Sequence, residues 1–153
     1  MTYDLRFYHN VASKVGEMEF VDYFLQISQC KIEFLPDGFI VDYDNEETGV
    51  YFYLSYVRQN ADDLCRDILF DSGLSFEVNY GRPVIFAFES MQFVSDLANH
   101  FDLLIENYQD LSSCPPLPKK YTVQELIETW GPFNEMVNRL VESKRNKEQE
   151  DGR

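Results

Sequence analysis

The fold is decided by residues 31–57, whose sequence is KIEFLPDGFIVDYDNEETGVYFYLSYV. Aromatic and β-branched residues dominate three segments of this stretch, and such residues favour strands. Pro36-Asp37-Gly38 separates the first two segments and is a strong turn signal, while residues 45–49 form a second polar turn. The sequence therefore predicts three consecutive antiparallel strands. These strands are expected at residues 31–35, 39–44 and 50–57.

The segments on either side of this meander are assigned from the period of their apolar residues. Residues 2–8 and 73–80 alternate apolar and polar side chains, which indicates strands with one buried face. Residues 17–29 place Phe20, Phe24 and Ile27 at helical spacing, so an amphipathic helix is predicted there. Residues 58–71 are predicted to form a loop with one short helix.

A second group of elements is predicted between Pro83 and residue 107. The apolar run at residues 84–89 is interpreted as a strand that Pro83 precedes, because proline is tolerated at the start of a strand. Ser90 is interpreted as the N-cap of a helix over residues 91–100. Residues 101–107 are expected to return as a strand, which would complete a strand–helix–strand crossover.

The C-terminal third is predicted to be helical. Thr122 and Glu125 form a capping box that opens a helix. Gly131-Pro132 is expected to break or kink this helix, since proline lacks the backbone donor and clashes one turn back. Residues 144–153 are polar throughout and are expected to form a disordered tail.

These elements together predict an α+β domain over residues 1–143, followed by the tail at 144–153. One mixed, mostly antiparallel sheet of about six or seven strands is expected. The amphipathic helices near 17–29 and 91–100 should share one face of this sheet. The C-terminal helices should pack at the edge of the sheet or over its other face.

The net charge narrows the class of partner. The 153 residues include 27 acidic and 13 basic side chains, which gives a net charge of −14. Residues 1–138 hold 23 acidic and eight basic residues, a balance of −15, whereas residues 139–153 have a balance of +1. Such a field disfavours nucleic acid and anionic membranes as partners. It suits a basic protein partner, although high solubility alone would also account for it.

No sequence motif for catalysis, nucleotide binding or metal binding is present, so no catalytic residue, cofactor or metal is predicted. An acidic stretch from Asp42 partly fits a calcium-binding loop. Glu47 stands where that loop requires glycine, and Tyr53 stands where it requires glutamate. The sequence therefore predicts a protein that is not an enzyme.

Histidine and cysteine residues give no local signal for a reactive site. His9 and His100 are expected at the surface or as helix and strand caps. Cys30, Cys65 and Cys114 are odd in number and widely spaced, which is typical of reduced thiols in a cytoplasmic protein. The N-terminal segment MTYDLRFYHN lacks the features of a signal peptide.

Six residues are predicted to bind a partner. Asp42, Asp44 and Glu46 alternate along an extended segment, so their carboxylates should share one face. Tyrosine is rigid and amphipathic and therefore suits an interface anchor. The same residues could also be a solvated turn and a face covered by the C-terminal helices. The predicted partner-binding residues are Asp42, Asp44, Glu46, Glu47, Tyr51 and Tyr53.

Several short segments resemble a group of small acidic bacterial proteins. The matching segments are YDL at 3–5, TGVYF at 48–52, YGRP at 80–83, FAFE at 86–89 and FDL at 101–103. Members of the group end the last strand in DPQ, where this chain has Asn107-Tyr108-Gln109. The similarity covers residues 2–109. Proteins of this sort resemble the immunity partners of secreted toxins.

The sequence therefore favours a non-enzymatic, acidic, cytoplasmic binding protein. The resemblance implies an immunity protein that neutralises a basic toxin domain by steric occlusion. A regulatory or small-ligand-binding module with a pocket near Arg6 and Tyr8 is a first alternative. An enzyme whose site assembles only in space is a second alternative.

Overall fold

The computed structural model describes residues 1–10, 14–59, 69–112 and 114–152. Within these residues six strands form one open sheet, ordered β2-β3-β4-β5-β1-β6, and every neighbouring pair is antiparallel. The α+β class is therefore confirmed. The sheet formed by these residues is not mixed, in contrast to the sequence prediction, because none of its strand pairs is parallel. In chain order the elements are β1 (Thr2–Asn10), α1 (Glu17–Leu25), β2 (Cys30–Leu35), β3 (Gly38–Asn45), β4 (Val50–Val57), β5 (Leu69–Asn79), α2 (Ile85–Phe101), β6 (Leu104–Asn107) and α3 (Val123–Asp151).

The meander predicted for residues 31–57 is confirmed as β2, β3 and β4. Its first turn depends on Gly38, which pairs with Val57 in the ladder. A Cβ atom at Gly38 would lie 1.8 Å from the carbonyl oxygen of Tyr56. The close approach of β3 to β4 at this turn therefore requires glycine.

One side of the sheet, here called the covered face, is apolar. Leu54 of β4 lies opposite Phe76 of β5, and Phe76 lies opposite Leu5 of β1. All three side chains are buried, as is Phe52 on the same side of β4. Burial of such side chains contributes about 1.5–3 kcal/mol each, so this face supplies most of the stabilising core.

All three helices contact the covered face of the sheet. In α1, the Phe20 ring lies 5.9 Å from that of Tyr56, and in α2 the Phe93 ring lies 5.0 Å from that of Phe52. The Tyr3 hydroxyl of β1 lies 2.7 Å from the Thr129 hydroxyl of α3. Helix α3 therefore packs beside α2 rather than over the opposite side of the sheet.

The strand expected at residues 84–89 is wrong, because these residues begin α2. A short apolar run fits a buried helix as well as a strand, and Pro83 suits a helix start. The Pro83 carbonyl accepts the Phe86 N–H at 3.0 Å. Ser90 is consequently inside α2, where its hydroxyl donates to the Phe86 carbonyl rather than capping the helix. The expected strand–helix–strand crossover is also wrong, because the residues assigned to its first strand belong to α2.

The capping box at Thr122 is confirmed, but α3 continues through Pro132 as one helix to Asp151. Trp130 and Asn134, on either side of the proline, are both buried. The Asn134 side chain binds backbone groups of Gly81 and Arg82. Because the residues on both sides of Pro132 are held against the same domain by these contacts, the helix continues through the proline.

Two other expectations meet the structure only in part. Residues 144–151, expected to be a disordered tail, lie in α3, and their side chains are exposed. Whether the domain needs them for stability stays a prediction. The loop expected at residues 58–71 is wrong at its end, because β5 begins at Leu69. Residues 60–68, where the short helix was expected, lie outside the described residues.

Candidate protein-binding face

The other side of the sheet, here called the outer face, consists of the residues that alternate with the covered ones. Strand register arranges these residues in rows that cross the sheet. From β2 to β1, one row contains Lys31, Asp42, Tyr53, Glu77 and Asp4. The next row contains Glu33, Ile40, Ser55, Ser75 and Arg6.

A shallow depression of about 350 Å³ lies on the outer face. Ser55 and Ser75 line it, and their hydroxyl groups are 2.8 Å apart. Tyr53 and the carboxylates of Asp42 and Glu77 line it as well. Short side chains beside long ones create the concavity, so a protruding side chain of a partner could enter it.

Tyr53 lies in the middle of the first row and is 43% exposed. Asp42 lies opposite it on β3, and Glu77 lies opposite it on β5. Within the described residues no salt bridge neutralises Asp42 or Glu77. An aromatic ring between two carboxylates offers both apolar contact and attraction to a cation.

No family model, curated protein or solved structure matches this chain. The function must therefore be inferred from the outer face and its surroundings.

The six predicted partner-binding residues do not form one cluster. Asp42 and Tyr53 are a cross-strand pair on the outer face, and Asp44 pairs with Tyr51 one step along. Glu46 and Glu47 are exposed on the turn between β3 and β4.

Tyr51 differs from Tyr53 in its contacts, although both were predicted as free anchors. Its ring lies 5.0 Å from the Arg82 guanidinium and 5.4 Å from the Phe86 ring. Tyr51 is thus half-buried at the start of α2, whereas Tyr53 is surrounded by polar side chains. The structure therefore distinguishes two tyrosines that the alternating pattern had treated as equivalent.

The pocket suggested near Arg6 and Tyr8 is a minor feature of the described residues. Tyr8 is buried, and its hydroxyl donates to the carboxylate of Glu106 at 3.2 Å. Arg6 lines a concavity of about 120 Å³ and lies 3.8 Å from Asp71. This volume is small compared with ordinary ligand pockets, which hold several hundred Å³.

A larger concavity, here called the helix groove, lies between α1 and α2 and was missed by the sequence analysis. It encloses about 710 Å³, and the exposed side chains of Ile85 and Phe88 line it. Glu89 lies in the groove and accepts hydrogen bonds from the Tyr43 hydroxyl at 2.6 Å and from Asn45 at 2.7 Å. The helical spacing of Ile85, Phe88 and Glu89 could have indicated this groove, had residues 84–89 not been assigned to a strand.

Potentially reactive side chains are scattered in the described part of the chain, where no group of three or more His, Cys, Asp or Glu residues could hold a metal ion. His9 is buried against Phe70, so its expected surface position is wrong, and burial lowers the pKa of its imidazole. Burial raises the pKa of the Cys30 thiol to about 12, which keeps it protonated and unreactive. Cys65 lies outside the described residues.

A hydrogen-bonded carboxylate lies at the edge of the core, near the start of α3. The Ser112 hydroxyl donates to Asp110 at 2.6 Å, and the Tyr121 hydroxyl donates at 2.7 Å. These bonds lower the pKa of the Asp110 carboxyl to about 2. Because the carboxylate is used to hold the chain between β6 and α3, we assign it a structural role.

No helix within the described ranges is both long enough and apolar enough to cross a membrane.

Proposed function

We propose that this protein binds a basic protein partner through the outer face of its sheet. The main support for this proposal is the position of the exposed Tyr53, which lies between Asp42 and Glu77 in one row of the outer face. A rigid aromatic side chain supplies contact area at low entropic cost, and adjacent carboxylates select for cations. The proposed action is occlusion of the partner's surface and involves no bond making or breaking.

The charge distribution supports the same proposal. The two rows of the outer face hold four carboxylates against two cations, the latter being Lys31 and Arg6. An acidic face raises the rate of encounter with a basic surface, and this effect decreases when salt screens the charges. The buried contact with Tyr53 would then determine how slowly the complex dissociates.

The partner class that fits best is the basic domain of a toxin, with this protein as its cytoplasmic immunity partner. The support consists of the acidic face and of the sequence resemblance at residues 3–5, 48–52, 80–83, 86–89 and 101–103. Steric blockade requires a stable protein with a fixed surface, and a sheet held on its covered face by three helices offers one.

The experiment uses the product of the neighbouring open reading frame as the test partner. Binding rates are measured for the wild type and for the double variant Asp42→Lys/Glu77→Lys. We expect an on-rate at least about tenfold lower at low salt, with a smaller difference at high salt. The control is Glu142→Lys/Glu148→Lys, which makes the same change in net charge at two exposed acidic residues of α3.

The proposal fails if the double variant and the control associate at the same rate as the wild type. It also fails for this partner if the wild type does not bind the neighbouring product. Circular dichroism of each variant shows whether the fold is intact.

A second candidate function is favoured by the helix groove. Its volume of about 710 Å³ lies in the range of small-molecule sites, and it combines apolar side chains with the Glu89 carboxylate. A regulatory module could bind an apolar cation there. Ligand-observed NMR screening should then find hits that Phe88→Ala abolishes, and hits unaffected by Phe88→Ala would contradict this use of the groove.

A further inference from the structure

Strand β2 is an edge of the sheet formed by the described residues. On its free side the Cys30 N–H donates to the Ile27 carbonyl at 3.0 Å, and among the described residues the backbone groups of Ile32 and Phe34 have no backbone partner. The Asp44 N–H donates to the Gln29 carbonyl at 3.0 Å, which sets the hydrogen-bonding phase of the β2–β3 pair. Backbone groups of successive residues point to opposite sides of a strand. Lys31 and Glu33 therefore direct their backbone groups towards β3, whereas Ile32 and Phe34 direct theirs away from the sheet.

The same edge exposes apolar side chains. Phe34 is 63% exposed although it lies on the apolar side of the strand, opposite buried Phe39. On α1, which packs next to β2, Leu25 is 65% exposed and Met18 is 62% exposed. An edge strand with unpaired backbone groups is a template for pairing with another chain, and an exposed phenylalanine beside it adds apolar contact area for that pairing.

We propose that β2 pairs with β2 of a second copy of this chain, antiparallel and centred on Ile32. This pairing places Lys31 opposite Glu33 of the second copy, and the twofold axis repeats that contact. The outward N–H and carbonyl groups of the two Ile32 residues bond to each other. Each Phe34 N–H meets the Cys30 carbonyl of the other copy.

The charge pattern selects this register over its neighbours. Pairings one step away in the same hydrogen-bonding phase would place Lys31 opposite Lys31, or Glu33 opposite Glu33. Like charges directly opposite each other destabilise a pair of strands, whereas opposite charges stabilise it. Only the register centred on Ile32 turns both residues into attractive contacts.

The proposed dimer goes beyond the partner-binding function and places its contact at the free edge of β2, where Lys31 and Glu33 end the two rows of the outer face. The two sheets would become one continuous sheet, and Phe34 would lie over Cys30 of the second copy. In this register Cys30 lies opposite Phe34 and not opposite Cys30 of the second copy, so the proposed dimer contains no disulfide between the copies. The net charge of −14 on each copy opposes the dimer, so a moderate affinity is expected.

Sedimentation equilibrium across the micromolar range, at fixed salt and with reductant, tests the proposal. The wild type should dimerise, and Lys31→Glu and Glu33→Lys should each weaken the dimer about tenfold, because each change makes two contacts repulsive. The double variant Lys31→Glu/Glu33→Lys should restore wild-type affinity. Lys144→Glu and Glu142→Lys are matched controls on α3 and should leave the affinity unchanged.

Three results would overturn the proposal. A wild type that stays monomeric throughout the micromolar range excludes the dimer. A double variant as weak as the single variants excludes this register. An affinity that rises in Glu33→Lys would show that net charge, rather than a specific pair of strands, controls association.

Discussion

The two faces of the sheet are built from the same strands, yet they differ in what covers them. On β4, Phe52 and Leu54 are fully buried under helices, whereas Tyr53 between them is 43% exposed. A strand with this alternation directs one set of side chains into the core, and the other set, on the opposite face, does not have to be apolar. The comparison indicates that the covered face maintains the fold and the outer face is available for binding.

The largest expected effect is the loss of core packing on the covered face. Phe52 is buried against Tyr43, Phe76 and Phe93, whose ring centroids lie 4.2, 5.3 and 5.0 Å away. Phe52→Ala should lower the free energy of unfolding by about 3–5 kcal/mol. Urea denaturation followed by circular dichroism measures this change, and a loss below about 1 kcal/mol would remove the distinction between the faces.

A smaller effect concerns the hydrogen-bonded carboxylate at the edge of the core. Asp110 has a pKa of about 2 in the folded protein against an ordinary value of 3.8. Its contribution of about 2 kcal/mol is therefore complete above the ordinary pKa and is lost as the pH falls through 2. Stability should decrease over this window.

Asp110→Asn is the control for this pH dependence, because it removes the titrating group and retains the shape. Denaturation curves between pH 5 and pH 2 should decrease less steeply for the variant than for the wild type. Parallel curves would show that Asp110 is not a source of acid sensitivity.

The smallest effect is expected at the C-terminal end of α3, whose side chains are exposed. Residues 144–151 are helical but exposed, and they bury no apolar side chain. Deleting residues 144–153 should leave the melting temperature nearly unchanged. A decrease of many degrees would mean that this end of the helix packs on the domain.

The sequence was sufficient to predict secondary structure where local signals agree with the tertiary structure. In the meander, Pro36-Asp37-Gly38 and the alternation of β4 gave the strands and assigned Phe52 and Tyr53 to opposite faces. Residues 84–89 were misassigned because a short apolar run fits a helix as well as a strand. In the structure only Phe86 and Ala87 of its apolar residues are buried, on one side of α2. Pro132 was expected to break or kink α3, and the break is wrong. The hydrogen bonds that anchor Asn134 to residues 81 and 82 are long-range contacts, which local sequence patterns do not indicate.

The candidate site shows the same limit. Alternation predicted that Asp42 and Tyr53 lie on one side of the sheet, but the register that places Glu77 beside Tyr53 depends on β5, which is distant in sequence. The difference between Tyr51 and Tyr53 arises from Arg82 and Phe86, which local patterns do not bring near β4. Rows of side chains across a sheet require strand order, and strand order is a property of the whole fold.

The most direct test measures unfolding and partner binding for two neighbours on β4, Tyr53→Ala and Leu54→Ala. Leu54→Ala should cost about 2–5 kcal/mol of stability, and its folded fraction should bind the neighbouring gene product with wild-type affinity. Tyr53→Ala should cost less than about 1 kcal/mol of stability and weaken binding by about 2 kcal/mol or more. A Tyr53→Ala protein that binds like the wild type would contradict the assignment of binding to the outer face.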